Sequence, residues 1–204
     1  MNLLSENKFG EPLASLYCLN LTAGGPGVRL PLSSEVASLQ YKGQWQASQA
    51  PGEHQRRSIY VFVKRNLHTP LFECFDAPST MVSCGSRTQS IHAGQALAMM
   101  NGQFIDQQSW LFARRLIGVS SNDRARAVQL SYRLALARPP LAEEQQVALD
   151  FLDQHTELLK QQASVGVPPE IPVDLPGDVD PHFGAALADS CLALFNLDEF
   201  LFVD

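Results

Sequence analysis

The sequence lacks the long apolar runs and the closely spaced cysteines that mark several protein classes. No stretch approaches the ~20 consecutive apolar residues that a membrane-spanning helix needs. The opening residues, MNLLSENKFGEP, have neither the basic start nor the apolar block of a secretory signal peptide. The four cysteines form no C-x-x-C pair, which argues against a zinc ribbon, a thioredoxin-type motif and covalently attached haem. We therefore expect no membrane span and no cofactor in this chain.

The two parts of the sequence carry opposite net charge, and positive charge is scarce in the C-terminal part. The chain carries −6 in total at pH 7. Residues 1–140 hold 14 Lys or Arg against 8 Asp or Glu, whereas residues 141–204 hold one lysine against 13 acids. A basic half that attracts an acidic half is the favoured explanation, and a basic surface for an anionic partner is the alternative.

Helical patterns dominate the second half of the sequence. The spacing of apolar residues and the capping signals predict a helix after Ser90 that stops at Asn101, a helix over residues 103–117 closed by Gly118, and a third helix capped by residues 121–123. A fourth is predicted from residue 141 to about 162, and a last over about 181–196. The apolar face of the fourth helix is predicted to contain Val147, Phe151, Leu152, Leu158 and Leu159.

The first half is irregular by pattern. Glycine and proline interrupt residues 23–32, and the apolar run 59–63 favours a helix only weakly, ended by Thr69 and Pro70. The fold class that follows is mainly α, with an irregular N-terminal half packed on a bundle of four or five helices. We expect a non-matching or partly ordered N-terminal segment at residues 1–22 and a single mainly helical domain over residues 23–204, with an acidic, proline-rich loop at about 163–180.

Cations and turn-forming residues concentrate between residues 56 and 101. The cations are Arg56, Arg57, Lys64, Arg65 and Arg87. An FDAP turn lies among them, in which the Asp76 side chain is expected to bond backbone amides. If the domain has a functional surface, the candidate binding residues are Arg57, Arg65, Asp76 and Arg87. The alternative is an ion-pair network that holds the irregular half to the helices. Tyr60 and Phe62 beside the cations suit single-stranded nucleic acid, but the pI of about 5.3 and the absence of a recognised motif argue against it.

Other reactive residue types are present without a convincing arrangement. His68, Cys74, Cys84 and His92 have a spacing that matches no standard zinc site. Cys84 with His92, eight residues apart, is weak support for a nucleophile, and Cys191 lies in an apolar helical pattern typical of a small core residue. Tyr41 and Trp45 suit sugar stacking, and Glu73 with Asp76 suits carboxylate chemistry. We therefore predict no catalytic residue and no metal ligand.

Several sequence blocks resemble one known family in the same order. They are GGPGVRLPLS, YKGQWQ, HQRRSIYVFVKRNLHTPLFECFDAP, SCGSR, QALAMMNGQF, YRLALARPPLAEE and LADSCLALFNLDEFLFVD. Together they resemble the C-terminal portion of the family named planctomycete-specific domain one. That family has no established activity and is found in large envelope proteins of planctomycetes and related bacteria, often beside cytochrome c-like domains.

The resemblance implies a function class but no reaction. It implies a C-terminal piece of a larger envelope protein, located in the periplasm or cell envelope, acting as a non-catalytic structural or interaction module. Its partners would be other envelope proteins or the N-terminal domains of the longer relatives. One alternative is a domain that binds or processes polysaccharide, and a second is an accessory of a cytochrome c-type electron-transfer protein. Cys74 stands where relatives have Ala or Met, which argues against a required thiol.

Overall fold

The computed structural model describes residues 19–32, 45–65, 69–78, 82–86, 93–176 and 179–202. These residues form two 3₁₀ turns, Pro51–Glu53 and Ser58–Tyr60, and seven α-helices. In chain order the helices are α1 (Pro70–Cys74), α2 (Ala93–Asn101), α3 (Gln103–Ser120), α4 (Arg124–Leu136), α5 (Ala142–Ser164), α6 (Pro181–Phe195) and α7 (Asp198–Leu201). The mainly α class expected from the sequence is confirmed. Five helices of nine or more residues follow residue 92, and the one-turn α7 adds a sixth.

The chain divides into two compact units, with the described residues up to 86 in the first and those from 93 onward in the second. Within the first unit, Val28 is almost fully buried and pairs with Val61 in an isolated parallel bridge. The Val28 amide donates to the Tyr60 carbonyl and the Phe62 amide donates to the Val28 carbonyl, both at 2.7 Å. Asn20 and Arg56 form a second such bridge.

The helix favoured over residues 59–63 was a wrong prediction. Only a 3₁₀ turn, Ser58–Tyr60, forms there, and Val61 leaves it in an extended conformation. The β-branched residues of this run suit extended backbone, and the pairing with Val28 supplies the hydrogen bonds that a helix would otherwise provide. Ile59 and Val63 within this run are exposed.

Helix α6 is the centre of the second unit. It contacts α2, α3, α4, α5 and α7. Nine of its fifteen residues are buried, among them Phe183, Leu187 and Cys191. Pro181 occupies the first turn, where its missing N–H costs no hydrogen bond, and the Asp180 carboxylate accepts from the His182 amide at 3.0 Å. The sequence prediction of this helix, including a buried Cys191, is confirmed.

Helices α3 and α4 begin as predicted, but α3 runs further than expected. Gly118 lies inside α3, whose last residue is Ser120. The C-cap is Ser121, which adopts a left-handed φ of 54° and donates its amide to the Ile117 carbonyl at 3.1 Å. Asp123 then caps α4 by accepting from the Arg126 amide at 3.1 Å. A capping residue with the right backbone angles therefore decides this boundary, and the glycine does not.

The described C-terminal residues, up to Phe202, pack on the rest of the second unit. Helix α7 contacts α4 and α6, and Leu201 is buried. The Phe195 ring lies 5.6 Å from Phe112 and 4.9 Å from Phe200 between centroids, in stacked geometry. Aromatic stacking therefore joins α3, α6 and α7. None of the helices in the described ranges is long and apolar enough to cross a membrane.

Candidate functional site: arginine clusters and an exposed face of α5

Three of the four predicted binding residues lie in the described part of the first unit, and Arg87 lies outside the described residues. Arg57 contacts Tyr60: its Nη2 lies 3.5 Å from the hydroxyl and its guanidinium carbon lies 5.7 Å from the ring centroid. Arg65 is exposed. Asp76 has its place in the turn that ends α1.

The Asp76 turn is a helix C-cap. Asp76 adopts a left-handed φ of 53°. Its amide donates to the Glu73 carbonyl at 3.1 Å, and the Ala77 amide donates to the Phe72 carbonyl at 2.9 Å. This pair of bonds is a Schellman motif, which satisfies carbonyls left free at the helix end. Aspartate tolerates the left-handed region better than most residues, which suits it to this position. The turn predicted here is confirmed, and the bond from the Asp76 side chain to backbone amides stays a prediction.

Arg56, which the sequence did not single out as a candidate site residue, is buried in the described part of the first unit. Its side chain is only 6% exposed. The guanidinium donates to the Pro26 carbonyl at 3.3 Å, to the Thr22 carbonyl at 3.2 Å, and to the Gly24 carbonyl. Its carbon lies 4.0 Å from the centroid of the Tyr60 ring. Arg56 therefore fastens the loop 22–26 through backbone carbonyls and a cation–π contact.

Tyr60 closes the same cluster from the other side. Its hydroxyl accepts from the Gly24 amide at 3.2 Å. That bond, followed by the hydrogen bond and charge of Arg57, lowers the pKa of Tyr60 from its ordinary value. Gly24 and Gly25 have φ values of 77° and 86°, which residues with a side chain rarely adopt. The glycines allow the loop to bring its carbonyls onto Arg56.

Trp45, one of the two aromatic residues suggested for sugar stacking, makes its contacts within the first unit. The Trp45 indole nitrogen donates to the Leu30 carbonyl at 2.9 Å, and its ring lies 6.2 Å from that of Phe62. The guanidinium carbon of Arg29 lies 5.0 Å from the centroid of the Phe62 ring. Tyr41, the second aromatic of that proposal, lies outside the described residues. Trp45 therefore acts as an anchor for the loop that carries it.

The described residues contain no group of three or more His, Cys, Asp or Glu that could hold a metal ion. Of the four residues in the H-x5-C-x9-C-x7-H spacing, His68 and His92 lie outside the described residues. Cys84 is exposed, and its thiol lies 3.1 Å from the Ser86 carbonyl. Burial raises the pKa of the Cys191 thiol far above its usual range, which makes it inert at neutral pH.

A second arginine cluster, missed at the sequence level, lies in the second unit. Arg138 follows α4 and makes paired hydrogen bonds to two carboxylates. Its Nη1 and Nη2 each lie 2.7 Å from oxygens of Glu144, and its Nε and Nη2 each lie 2.9 Å from oxygens of Glu199. The guanidinium carbon lies 5.6 Å from the Tyr132 ring. Arginine suits this position because its planar fork binds two carboxylates at once.

The Arg138 cluster has clear electrostatic consequences. Hydrogen bonding to Arg138 lowers the pKa of Glu144 to about 2, assisted by the Leu141 amide, which donates to Glu144 at 2.7 Å. The two glutamates raise the pKa of Arg138 above its already high value. Burial, followed by the charge of Glu144, raises the pKa of Tyr132. Glu144 therefore caps α5 and binds Arg138, while Glu199 brings α7 to the same cation.

Helix α5 has two apolar stripes, and only one of them is buried. Leu152 and Leu159 face the unit's interior with Thr156. Val147, Phe151 and Leu158, which the sequence assigned to the same inward face, are 69%, 39% and 45% exposed. At 3.6 residues per turn, Leu152 and Leu159 lie about a quarter to a third of a turn away from these three. The prediction of a single buried face was therefore wrong in part.

The exposed residues of α5 follow a regular spacing. The series is Val147, Phe151, Gln154, Leu158, Gln161 and Val165, with successive intervals of 4, 3, 4, 3 and 4 residues. All six are exposed, and Val165 directly follows the last helical residue. We call this series the α5 seam. Such spacing is typical of the contact line of paired helices.

One edge of the α5 seam is acidic. Glu143, Asp150 and Glu157 recur every seven residues along it. The Asp150 carboxylate accepts a hydrogen bond from the side-chain amide of Gln146 at 2.8 Å, and Glu157 pairs with Lys160 at 3.0 Å. The opposite edge contains Ala148, His155 and Gln162. His155 stacks on Phe151 at 5.1 Å and its Nε2 lies 2.7 Å from an Asp189 oxygen, which links the seam to α6.

Comparison with known families identifies the chain. A family profile, PSD1, described as a protein of unknown function (DUF1553), matches residues 12–152. The chain belongs to the PSD1 family. This match confirms the family expected from the sequence blocks. Neither the curated proteins nor the solved structures contain a match to this chain. The PSD1 range includes Arg56, Asp76, Arg138 and Glu144, and it ends inside α5, which places Glu199 beyond it.

Proposed function

We propose that this PSD1 chain is a non-catalytic interaction module from the C-terminal end of a larger planctomycete envelope protein, located in the periplasm or cell envelope. The observation that carries the proposal is the α5 seam, an ordered line of exposed side chains at the spacing of a helix–helix contact. The envelope location is proposed from the resemblance described in the sequence analysis.

The described charged motifs support a module of this kind. Arg56 is occupied by three backbone carbonyls of the loop 22–26, and Arg138 is occupied by Glu144 and Glu199. These side chains stabilise the units that contain them. A catalytic group has to remain available to a substrate atom, whereas both terminal nitrogens of each guanidinium group already donate to oxygens of the protein.

The exposed apolar residues of α5 support an interaction surface. Single exposed apolar side chains are ordinary, but a series at regular intervals along one helix face is not. In water, Phe151 and Leu158 retain apolar area that a partner would cover, and burial of such area favours association. We therefore propose that other envelope proteins, or the N-terminal domains of the longer relatives, bind along this face.

Site-specific photo-crosslinking in the native cells tests the proposal. A photoreactive residue at Val147, on the α5 seam, is compared with one at Leu97 of α2, which is 59% exposed and lies outside the seam. We expect a discrete adduct with an envelope protein, identified by mass spectrometry, from position 147 and none from position 97. The same pattern of adducts from both positions, or none from either, would overturn the proposed function.

A glycan array tests the polysaccharide alternative independently. The Trp45 indole already donates a hydrogen bond to the Leu30 carbonyl, which disfavours its use as a platform on which a sugar ring stacks. We expect no saturable glycan binding by the purified chain. Saturable binding that is lost on changing Trp45 to Ala, in a variant that melts like the parent, would favour the polysaccharide function instead.

A further inference from the structure

We infer that the partner of the α5 seam is an amphipathic α-helix of another polypeptide that carries lysine or arginine beside its apolar line. The inference rests on the proposed interaction function and specifies the chemistry of its partner. It follows from the geometry of the seam, the charges along its edges, and the consequences of pairing the seam with a second copy of itself.

The geometry of the seam suits a helix. Residues 147–165 span about 27 Å at a rise of 1.5 Å per residue. The exposed line is one side chain wide. Its alternating intervals of three and four residues average 3.5 residues, slightly less than one helical turn. Such a line stays in contact with a second helix when the two helices supercoil slightly around each other. Phe151 and Leu158 are the largest apolar side chains available as anchors, and Gln154 lies between them.

The acidic edge specifies the charge of the partner. Glu143, Asp150 and Glu157 occupy the positions next to the apolar line, where interhelical charge pairs form in paired helices. A facing helix with Lys or Arg at the corresponding positions would gain three opposite-charge contacts. The wider context has the same sign, because residues 141–204 contain 13 acids and one lysine.

A second copy of the chain fits the seam less well. Antiparallel pairing of two α5 helices would place the acidic edges against each other, and like charges at such positions repel. Parallel pairing would place each acidic edge beside Ala148, His155 and Gln162 of the second copy, which supply no fixed positive charge. The two glutamines on the seam, Gln154 and Gln161, also reduce the apolar area that two identical faces could bury together.

Synthetic helices test this inference with the complete 204-residue chain. One peptide of about 21 residues has leucine along its apolar line and lysine at the flanking positions, and a matched peptide has glutamate there. A third keeps the lysines in a scrambled order without an apolar line. Binding is measured by fluorescence anisotropy at 50 and 500 mM salt. We expect the lysine peptide to bind at least tenfold more tightly than either of the others, with its affinity reduced at high salt.

Two matched substitutions separate seam docking from general attraction of a cation to an acidic chain. Leu158→Asp adds a negative charge, so non-specific attraction would become stronger, whereas docking on the seam should weaken at least tenfold. Leu97→Asp makes the same change at a leucine of similar exposure outside the seam and should leave the affinity within about twofold. Thermal unfolding of both variants confirms that the fold is retained. If Leu158→Asp unfolds, Val147→Asp, at a more exposed seam position, replaces it.

Charge reversal provides the decisive comparison. Glu143→Lys with Asp150→Lys should reverse the preference, so that the glutamate peptide binds more tightly than the lysine peptide. Equal affinities for both peptides, or a lysine-peptide affinity that Leu158→Asp leaves unchanged or increases, would overturn the inference. Self-association of the chain that Leu158→Asp abolishes would replace the basic helix with a second copy. A crosslinked envelope partner at Val147 combined with no preference for lysine would retain the proposed function and reject only this partner.

Discussion

Loss of the Glu144 charge tests whether the Arg138 cluster stabilises the second unit. Arg138 lowers the pKa of Glu144 from 4.5 to about 2. Since each pKa unit corresponds to 1.36 kcal/mol, the upper limit of the stabilisation is roughly 3 kcal/mol. The side chains of Arg138 and Glu144 are 33% and 28% exposed, so water screens part of this energy. We expect Glu144→Gln to lower the free energy of unfolding by about 1–2 kcal/mol at pH 7.

The dependence on pH has a definite sign. A carboxylate with a lowered pKa in the folded state stabilises the fold fully above the pKa of the unfolded chain, and this contribution disappears as pH falls towards the folded pKa. The difference between the parent and Glu144→Gln should therefore be largest above pH 5 and should shrink between about 4.5 and 2. Glutamine can still accept the Leu141 amide, so the change removes charge while retaining the cap.

Urea unfolding followed by circular dichroism, at intervals from pH 7 to pH 2.5, measures this difference. Glu143→Gln is the matched control, because Glu143 is exposed in the same first turn of α5 and should show a loss of at most ~0.5 kcal/mol. A double-mutant cycle with Arg138→Met should give a coupling of about 1–2 kcal/mol. A Glu144→Gln effect that stays constant across the pH range, or a coupling below about 0.5 kcal/mol, would refute the electrostatic explanation.

Substitutions at three further positions test backbone geometry, by urea unfolding, and the loop clamp, by hydrogen exchange. Asp76→Gly should be more stable than Asp76→Ala by about 1 kcal/mol, because both lack the carboxylate and only glycine adopts φ 53° freely; equal stabilities would exclude strain there. Gly102→Ala should lower the free energy of unfolding by about 1–3 kcal/mol, since a Cβ would lie 2.3 Å from the Ala98 carbonyl oxygen. A free energy of unfolding equal to that of the parent would contradict this contact. Arg56→Met should speed hydrogen exchange in residues 22–26, and unchanged protection would reject the proposed clamp.

Capping residues account for much of what could be predicted from the sequence. Asp123 and Asp180 each accept an amide of the helix that follows, and α4 and α6 begin at the next residue. Pro181 and the apolar periodicity behind it predicted α6 to within a residue at its C-terminal end. These signals act over one turn of chain, so the nature and order of neighbouring residues are sufficient to read them.

The candidate site was harder to predict because its contacts join distant residues. Arg57 and Arg56 are adjacent and chemically identical, and only Arg56 enters the carbonyls of the loop 22–26. Arg138 binds Glu199 across 61 positions. No local sequence pattern distinguishes Arg56 or Arg138 from the other arginines of the chain. The one available signal was the position of Arg138 and Glu144 within the range that matches the family profile, and Glu199 lies beyond that range.

The sequence by itself determined that this protein is mainly helical, where most of its longer helices begin, and to which family it belongs. The helical class and the helix starts depend on hydrogen bonds and side-chain spacing within about four residues, and the family follows from sequence blocks spread along the chain. Only the tertiary structure decided that Val61 pairs with Val28, that Leu152 is buried while Phe151 is exposed, and that Arg138 joins α7 to the start of α5. These outcomes depend on which distant segments compete for the same apolar area and hydrogen-bonding groups, and the path of the folded chain sets that competition.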